Sequence, residues 1–578
     1  MFRFLFPCTF FILVVESAVF GQGLSDGRKS SLSGLTPDSS PAVGLSSSFQ
    51  SSASAAPDSV DDYLAQASRH SARGELDAAI QTYKVVLQKD PKSPEAYAGL
   101  TLAYLRQKDV ERAYETVTSA LKVADAPTVH VALGEVYYRQ GKIPEAEQEW
   151  TSVINKGILD ARAYWGLSLV RAARSLYQQA QELLDRAHEL DPQDPNIRNR
   201  WLRSLSRKKH IQFWEDYLAI PGNGDEETRA AVQHRLDYLR AIPTLPHHTC
   251  RLVNHVPATE MKLAKFSRHN NMRGLAASLN GKEGTFVLDT GASGILIGEE
   301  WARQAGIRKI SETSIGGLGD EGVGGGYFGF ASSVKIGELE FQGCRVTVAE
   351  SGSVLGAGII GTDMFSAFLV ELDFPNQKLR LQPLPKRPDE NTAEVTAEAG
   401  TKEPGYSEDQ SSGERGPNAG AKPSQPARHG PRDRYIAPEM QSYTQVYRFG
   451  HLLLVPTRIG DSAPRLFALD TGGAGGNLLD IRSSPNLMSM LPAQGSTHFR
   501  SFHFTGINGS FPVYNTDKVV LQFGGLPSGN QDVTNCDLSH LSDQVGTEIS
   551  GILGLDALQR LKIRIDYRDG LVDFIEKP

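Results

Sequence analysis

Cysteine is scarce. Four cysteines in 578 residues cannot build a disulfide framework, and their scatter is not that of metal ligands. Cys8 falls inside the N-terminal apolar run, which leaves Cys250, Cys344 and Cys536 for one bridge at most, with no pairing dictated. Positive charge is also in short supply. With 60 Lys and Arg against 67 Asp and Glu, the net charge is −7, and no long basic stripe offers a nucleic acid its footprint. Nucleic acid is therefore not an expected partner. Two stretches lack what a core requires: residues 22–59 are rich in Ser, Gly, Ala and Pro without apolar periodicity, and residues 387–436 have almost no aliphatic side chains. Such segments cannot bury enough apolar surface to offset the entropy of ordering, and they are expected to be a disordered tether and a disordered linker.

What is present falls between these gaps. A chain of this length exceeds what one core supports and predicts about three or four domains. The N-terminus has Arg3, an apolar run from Phe4 to Val15, and small residues at Ala18 and Gly21. That pattern predicts a signal peptide over 1–21 and an exported protein, periplasmic or extracellular. Pro7 and Glu16 shorten the run below the roughly twenty apolar residues that span a bilayer. Left uncleaved, it would be an anchor, the lesser alternative and the one way a membrane enters.

Helical periodicity with an internal repeat begins near residue 60. Ala79, Ala113, Ala146 and Ala180 recur 34, 33 and 34 positions apart. Four positions after each stands Tyr83, Val117, Trp150 or Leu184, and then Val86, Ala120, Val153 or Ala187. Small residues are needed where paired helices touch, large ones where the next pair packs. Period and residue type together resemble a tetratricopeptide array, which implies a solenoid over 60–242, including capping helices after 196. Its groove would bind a protein or peptide partner, or serve packing alone. Pro243 and Pro246 end the helical region.

Beyond 250 the period shortens to that of strands, and one sequence occurs twice. Thr285-Phe286-Val287-Leu288 runs into Asp289-Thr290-Gly291, and Leu466-Phe467-Ala468-Leu469 runs into Asp470-Thr471-Gly472, 181 positions later. An apolar strand that delivers a carboxylate onto a Thr-Gly turn is costly unless the carboxylate is bonded or protonated. Each unit then continues to an apolar-apolar-Gly segment, Ile359-Ile360-Gly361 and Ile552-Leu553-Gly554.

These motifs resemble those of retropepsin-type aspartic proteases, with the two halves similar to the lobes of a single-chain, pepsin-like enzyme. The resemblance implies a multidomain protein in which an all-α tetratricopeptide solenoid precedes an all-β two-lobed aspartic protease fold, with lobes at 250–386 and 437–578. It implies an aspartic endopeptidase acting on polypeptide through water held by Asp289 and Asp470, without cofactor or metal. Two nearby carboxylates share a proton, so one serves as base and the other as acid. Thr290 and Thr471 would bond across the lobes, Gly291 and Gly472 would allow close approach, and Gly361 and Gly554 would back the turns.

The Gly-rich stretch from Gly316 to Gly329 lies where such a lobe carries its flap, and Tyr327 is either the flap aromatic or a hairpin-surface residue. Asp363 and Asp556 read as helix N-caps. The second turn departs from the pattern, because Gly473-Ala474-Gly475-Gly476 follows Gly472 where Ala or Ser is usual. A degenerate fold that clasps peptides without cutting them is the alternative. Pairing of the lobes within one chain is expected, because the linker keeps them at high effective concentration.

Overall fold

The computed structural model describes residues 14–16, 59–220, single positions between 229 and 240, 249–254, 256–266, 272–319, 324–350, 354, 356–388, 432–473, 476–482, 501–507, 509–515, 519–526, 529–531 and 533–576. The expected signal and tether fall outside these residues except for Ser59 and a short strand, Val14–Glu16, antiparallel to Ile315–Gly317. The expected linker falls outside them between 389 and 431. The chain forms two compact units, residues 19–136 and residues 1–18 with 137–578.

The first unit is helical: α1 (Val60–Ala72), α2 (Leu76–Lys89), α3 (Pro94–Arg106), α4 (Val110–Leu121) and most of α5 (Pro127–Arg139). Local chemistry starts these helices. Ser59 and Asp62 form a capping box, Ser93 accepts from Ala96 N before Pro94 at the first turn, and Asp109 accepts from Arg112 N. Ala79, Ala113, Val86, Val117 and Ala120 are fully buried, as the repeat requires of helix-contact positions.

The second unit continues with α6 (Ile143–Asn155), α7 (Ala161–Ala173), α8 (Tyr177–Leu190), α9 (Pro195–Ser204) and α10 (Arg207–Ala219). Gly166 of α7 lies on the indole of Trp150, which a Cβ would overlap. Here helix and β region share a body. The Thr547 hydroxyl donates to the Tyr138 carbonyl at 2.6 Å, and Glu548 N donates to the Arg139 carbonyl at 2.9 Å. The N-cap of helix α8 is Leu176, which supplies no capping side chain, and the open N–H groups at Gln178 and Gln179 donate instead to Asp433 Oδ1 at 2.9 and 3.2 Å. Residues 432–436, expected to be linker, are thus ordered against the repeats.

The β region holds two sheets of one design. In the first lobe the order is 308–317, 324–336, 339–349, 295–298, 358–361, 282–289, 273–279 and 264–265. In the second it is 501–506, 509–515, 533–536, 477–480, 551–553, 465–469, 452–459, 519–523 and 529–531. In both, the strand of the apolar-apolar-Gly segment runs parallel to the strand that leads into the Asp, with Gly361 opposite Asp289 and Leu553 opposite Leu469. A third sheet joins the lobes: 444–445, 571–576, 561–566, 368–373, 378–383 and 259–262. At the joint, buried Glu371 accepts from Arg564 at 2.9 Å and Arg380 at 2.7 Å, so its charge is fully paired. Cys250 and Cys344 form the one bridge among the described residues, and Cys536 is a buried free thiol.

Candidate active site

The strand Lys282–Asp289 alternates in exposure over its first half and is wholly buried over Phe286, Val287, Leu288 and Asp289. A two-sided apolar environment is thereby built around a carboxylate. The second strand, Arg465–Leu469, delivers Asp470 in the same way. Both carboxylates have no exposed surface.

The backbone of the turns supplies what water no longer can. Asp289 Oδ1 accepts from Gly291 N at 2.7 Å and, across the lobes, from Gly472 N at 3.0 Å. Asp470 Oδ1 accepts from Gly472 N at 2.8 Å and Gly473 N at 3.1 Å. The two Oδ2 atoms are buried and have no hydrogen-bond partner, and the single amide of Gly472, which reaches Oδ1 of both carboxyls, sets the two side by side. Two buried carboxyls so placed do not both ionise easily. Burial, and then the charge of Asp470, hold the Asp289 carboxyl well above the ordinary range. Burial also raises Asp470, to about 6, against the opposing pull of its bonds to Asp289, Gly472 and Gly473.

The threonines lock the turns together. Thr290 N donates to Thr471 Oγ1 at 3.0 Å and Thr471 N to Thr290 Oγ1 at 3.1 Å; the hydroxyls then donate to the Leu469 carbonyl at 2.8 Å and the Leu288 carbonyl at 3.3 Å. Each lobe therefore holds the strand end that carries the other's aspartate. Behind the turns, Gly361 N donates to the Gly294 carbonyl at 2.7 Å, and Gly554 N donates to Asn477 Oδ1 at 3.1 Å.

That last pair of contacts shows where the lobes diverge. In the first, Asp363 is buried and accepts from Ser293 Oγ at 3.0 Å and Gly294 N at 2.9 Å, bracing the loop after the turn. Burial raises its carboxyl to about 6. In the second, the counterpart Asp556 is exposed, and Asn477, beyond the Gly-rich continuation, takes over the brace. The capping role expected of both aspartates is corrected. The cap positions of the helices Thr362–Phe365 and Leu555–Leu558 are Gly361 and Gly554, and each aspartate is the second helical residue.

Each lobe sheet carries a hairpin toward one end. The first pairs Arg308–Gly317 with Gly324–Ile336, as the Gly-rich stretch suggests. Tyr327 stands down its second strand opposite Glu312, buried beneath Lys309 Nζ at 4.6 Å from its ring, and so is not at the tip. The second, Ser501–Gly506 with Gly509–Asn515, goes beyond the sequence expectation, although Asn508-Gly509 between apolar strands is a hairpin signal. The tips meet: a Cβ on Gly506 would overlap the Leu318 carbonyl. Each lobe thus contributes one flap-like hairpin.

Comparison with known proteins agrees with this geometry. Residues 275–364 match the family model described as aspartyl protease, which covers the first turn, its flap and the strand behind it. Residues 71–130 and 131–195 match two tetratricopeptide repeat models. No curated protein matches the chain. Similar solved structures include a thermophilic tetratricopeptide protein of Thermus thermophilus, at 19% identity over 32% of this chain and 99% of that one with a TM-score of 0.26. Another is pilF of Pseudomonas aeruginosa, at 20% identity over 32% and 86% with a TM-score of 0.23. By the family models, tetratricopeptide repeats stand N-terminal to an aspartyl protease domain in this chain.

Proposed function

We propose that this protein is an exported aspartic endopeptidase whose catalytic pair is Asp289 and Asp470, and whose repeats bind a partner or the polypeptide to be cut. The observation that carries the reading is a pair of fully buried carboxyls whose Oδ1 atoms accept from the same amide, that of Gly472, at 3.0 and 2.8 Å. A fold kept only to clasp peptides has no need of that arrangement, which costs stability.

The chemistry follows from the proton's place. Ionised Asp470 accepts a proton from a water molecule as the water oxygen bonds to the peptide carbonyl carbon, and protonated Asp289 gives its proton to the carbonyl oxygen. The tetrahedral adduct then collapses. Its C–N bond breaks as Asp470 passes its proton to the leaving nitrogen, and Asp289 recovers a proton from the adduct hydroxyl. No covalent intermediate or metal is required. Closed flaps exclude bulk water and strengthen each of these electrostatic contacts.

Export is supported by the N-terminal apolar run and by the Cys250–Cys344 bridge, since such bonds persist in oxidising compartments. No helix among the described residues is long and apolar enough to cross a membrane.

Hydrolysis of an unfolded protein by the full chain, with Asp289→Asn and Asp470→Asn made separately, tests the reading. Both changes are expected to abolish cleavage. A folded wild-type protein that cuts nothing, with or without an aspartic protease inhibitor, overturns it in favour of a peptide-binding scaffold.

A further inference from the structure

The turn that presents Asp289 also receives a contact from the second lobe that comes from outside the Asp470 turn. His451 is buried, and its Nε2 lies 3.2 Å from the Gly291 carbonyl. A carbonyl oxygen only accepts, so the imidazole carries its proton on Nε2 and donates. Gly291 is the residue whose amide holds Asp289 Oδ1, so fixing its carbonyl fixes the peptide that follows the donor.

His451 is placed by a tight hairpin. Strand Tyr447–Phe449 pairs with Leu452–Leu454, and Gly450, at φ +62°, takes the first turn position. Three further contacts seat this hairpin. Phe449 packs on the ring of Tyr138, with centroids 6.2 Å apart, and the Arg174 guanidinium lies 5.9 Å from the Tyr447 ring. Arg448 donates to the Gly450 carbonyl at 3.2 Å and also to the Tyr567 carbonyl, while the Tyr567 hydroxyl bonds Thr362, the residue after Gly361. The hairpin thus touches the repeats on one side and the back of the first catalytic turn on the other.

We propose that His451 is a positioning residue for the Asp289 turn, and that residues Tyr138 and Arg174 of the repeat region hold its hairpin in place. The repeats are then part of the catalytic framework as well as a binding surface. This inference rests on the protease reading. It assigns His451 no contact with substrate; the imidazole acts through Gly291. Its loss is expected in kcat, because misalignment of a carboxyl that acts in the transition state leaves ground-state binding of a short peptide little changed.

The test compares His451→Gln, whose amide keeps a donor of similar reach, with His451→Leu and the shorter His451→Asn, all in the full chain on a short peptide substrate. The Leu and Asn forms are expected to lose roughly ten-fold in kcat with KM within about two-fold, and the Gln form to retain most of the wild-type rate. Tyr138→Leu should lower kcat in the same direction by a smaller factor. Hydrogen exchange of the 288–294 amides should quicken in the Leu and Asn forms and not in the Gln form. An unchanged kcat in a folded Asn form, or a Gln form as damaged as the Asn form, overturns the inference. If the wild type cleaves nothing, the protease reading falls, and the exchange comparison still decides whether His451 holds the turn.

Discussion

The amide of Gly472 donates to Asp289 Oδ1 at 3.0 Å across the lobe boundary, and its Cα faces the same carboxyl so closely that a Cβ would overlap it. No rotamer of another side chain relieves this, because the overlapping atom is Cβ itself. Gly472→Ala must therefore push Asp289 out of contact with Asp470. Cleavage is expected to fall by at least about a hundred-fold, as when catalytic groups are displaced by an ångström, with the fold retained. A Gly472→Ala protein that cleaves at more than a tenth of the wild-type rate would mean that catalysis does not need the Asp289 carboxyl where Gly472 holds it.

The proposed mechanism sets a pH profile, because it requires Asp470 ionised and Asp289 protonated. Burial raises Asp470 to about 6, so as pH falls through that value Asp470 takes up a proton, the base is lost and kcat declines. As pH rises, Asp289, held well above the ordinary range, loses its proton last, and the rate falls on the alkaline side. A bell-shaped profile with its acidic limb near pH 6 is expected from kcat/KM, which reports the free enzyme. Full activity at pH values around 3, where ordinary carboxyls titrate, would contradict the raised Asp470.

Why these features are visible in the sequence to different degrees is a matter of range. Asp289, Thr290, Gly291 and their repeat at 470 are legible because a turn of three residues carries its own chemistry, and the tetratricopeptide period is legible because packing recurs every 33 or 34 positions. Asp363 and Asp556 look alike because their local sequences are alike. How each is used depends on Ser293, 70 positions from Asp363, and on Asn477, 77 positions from Gly554. The cap of α8 by Asp433 has no local signal, since donor and acceptor stand 254 and 255 positions apart. The second flap does have one, in Asn508-Gly509, but a dipeptide is a far weaker mark than the glycine-rich stretch of the first lobe.

Gly506 and Leu318 couple the two flaps. A Cβ on Gly506 would meet the Leu318 carbonyl, which as backbone cannot swing aside. Gly506→Val is expected to part the tips, and an opened cover weakens substrate retention before it weakens chemistry. KM should rise several-fold while kcat changes by less than about three-fold. Stopped-flow fluorescence of a peptide carrying a donor and quencher would separate the two. Equal KM values would show that the tips do not need to meet.

Asp433 caps helix α8 from outside the helix, accepting from Gln178 N at 2.9 Å, Gln179 N at 3.2 Å and the Gln179 side chain at 2.9 Å. Removing a capping carboxylate costs about 0.5–2 kcal/mol. Asp433→Ala should destabilise the joined helical and β body by about that amount in urea, whereas Asp433→Asn, which keeps the acceptor, should lose less. Hydrogen exchange is expected to quicken first at Gln178 and Gln179. If Asp433→Ala left both stability and exchange unchanged, the contact would be incidental.

The bridge between Cys250 and Cys344 closes a loop with a sequence separation of 94 and ties the strand Thr249–Leu252 to Leu339–Ala349, to which it is also hydrogen-bonded with Cys344 opposite Thr249. Strand Thr249–Leu252 is the first strand described after the helical region, so the bridge fixes where the chain enters the first lobe. Closing a loop of this size stabilises by roughly 3–5 kcal/mol, mainly by restricting the unfolded chain. The double change Cys250→Ser and Cys344→Ser, or a reductant at equilibrium, should therefore lower the melting temperature of the first lobe, and Cys536, buried away from reagents, should still not react in the native protein. Thiol counting on protein recovered from its native compartment gives the complementary measurement. One free thiol per mature chain would agree with an oxidised bridge and an exported protein, whereas three would place the chain in a reducing compartment and remove the structural support for export.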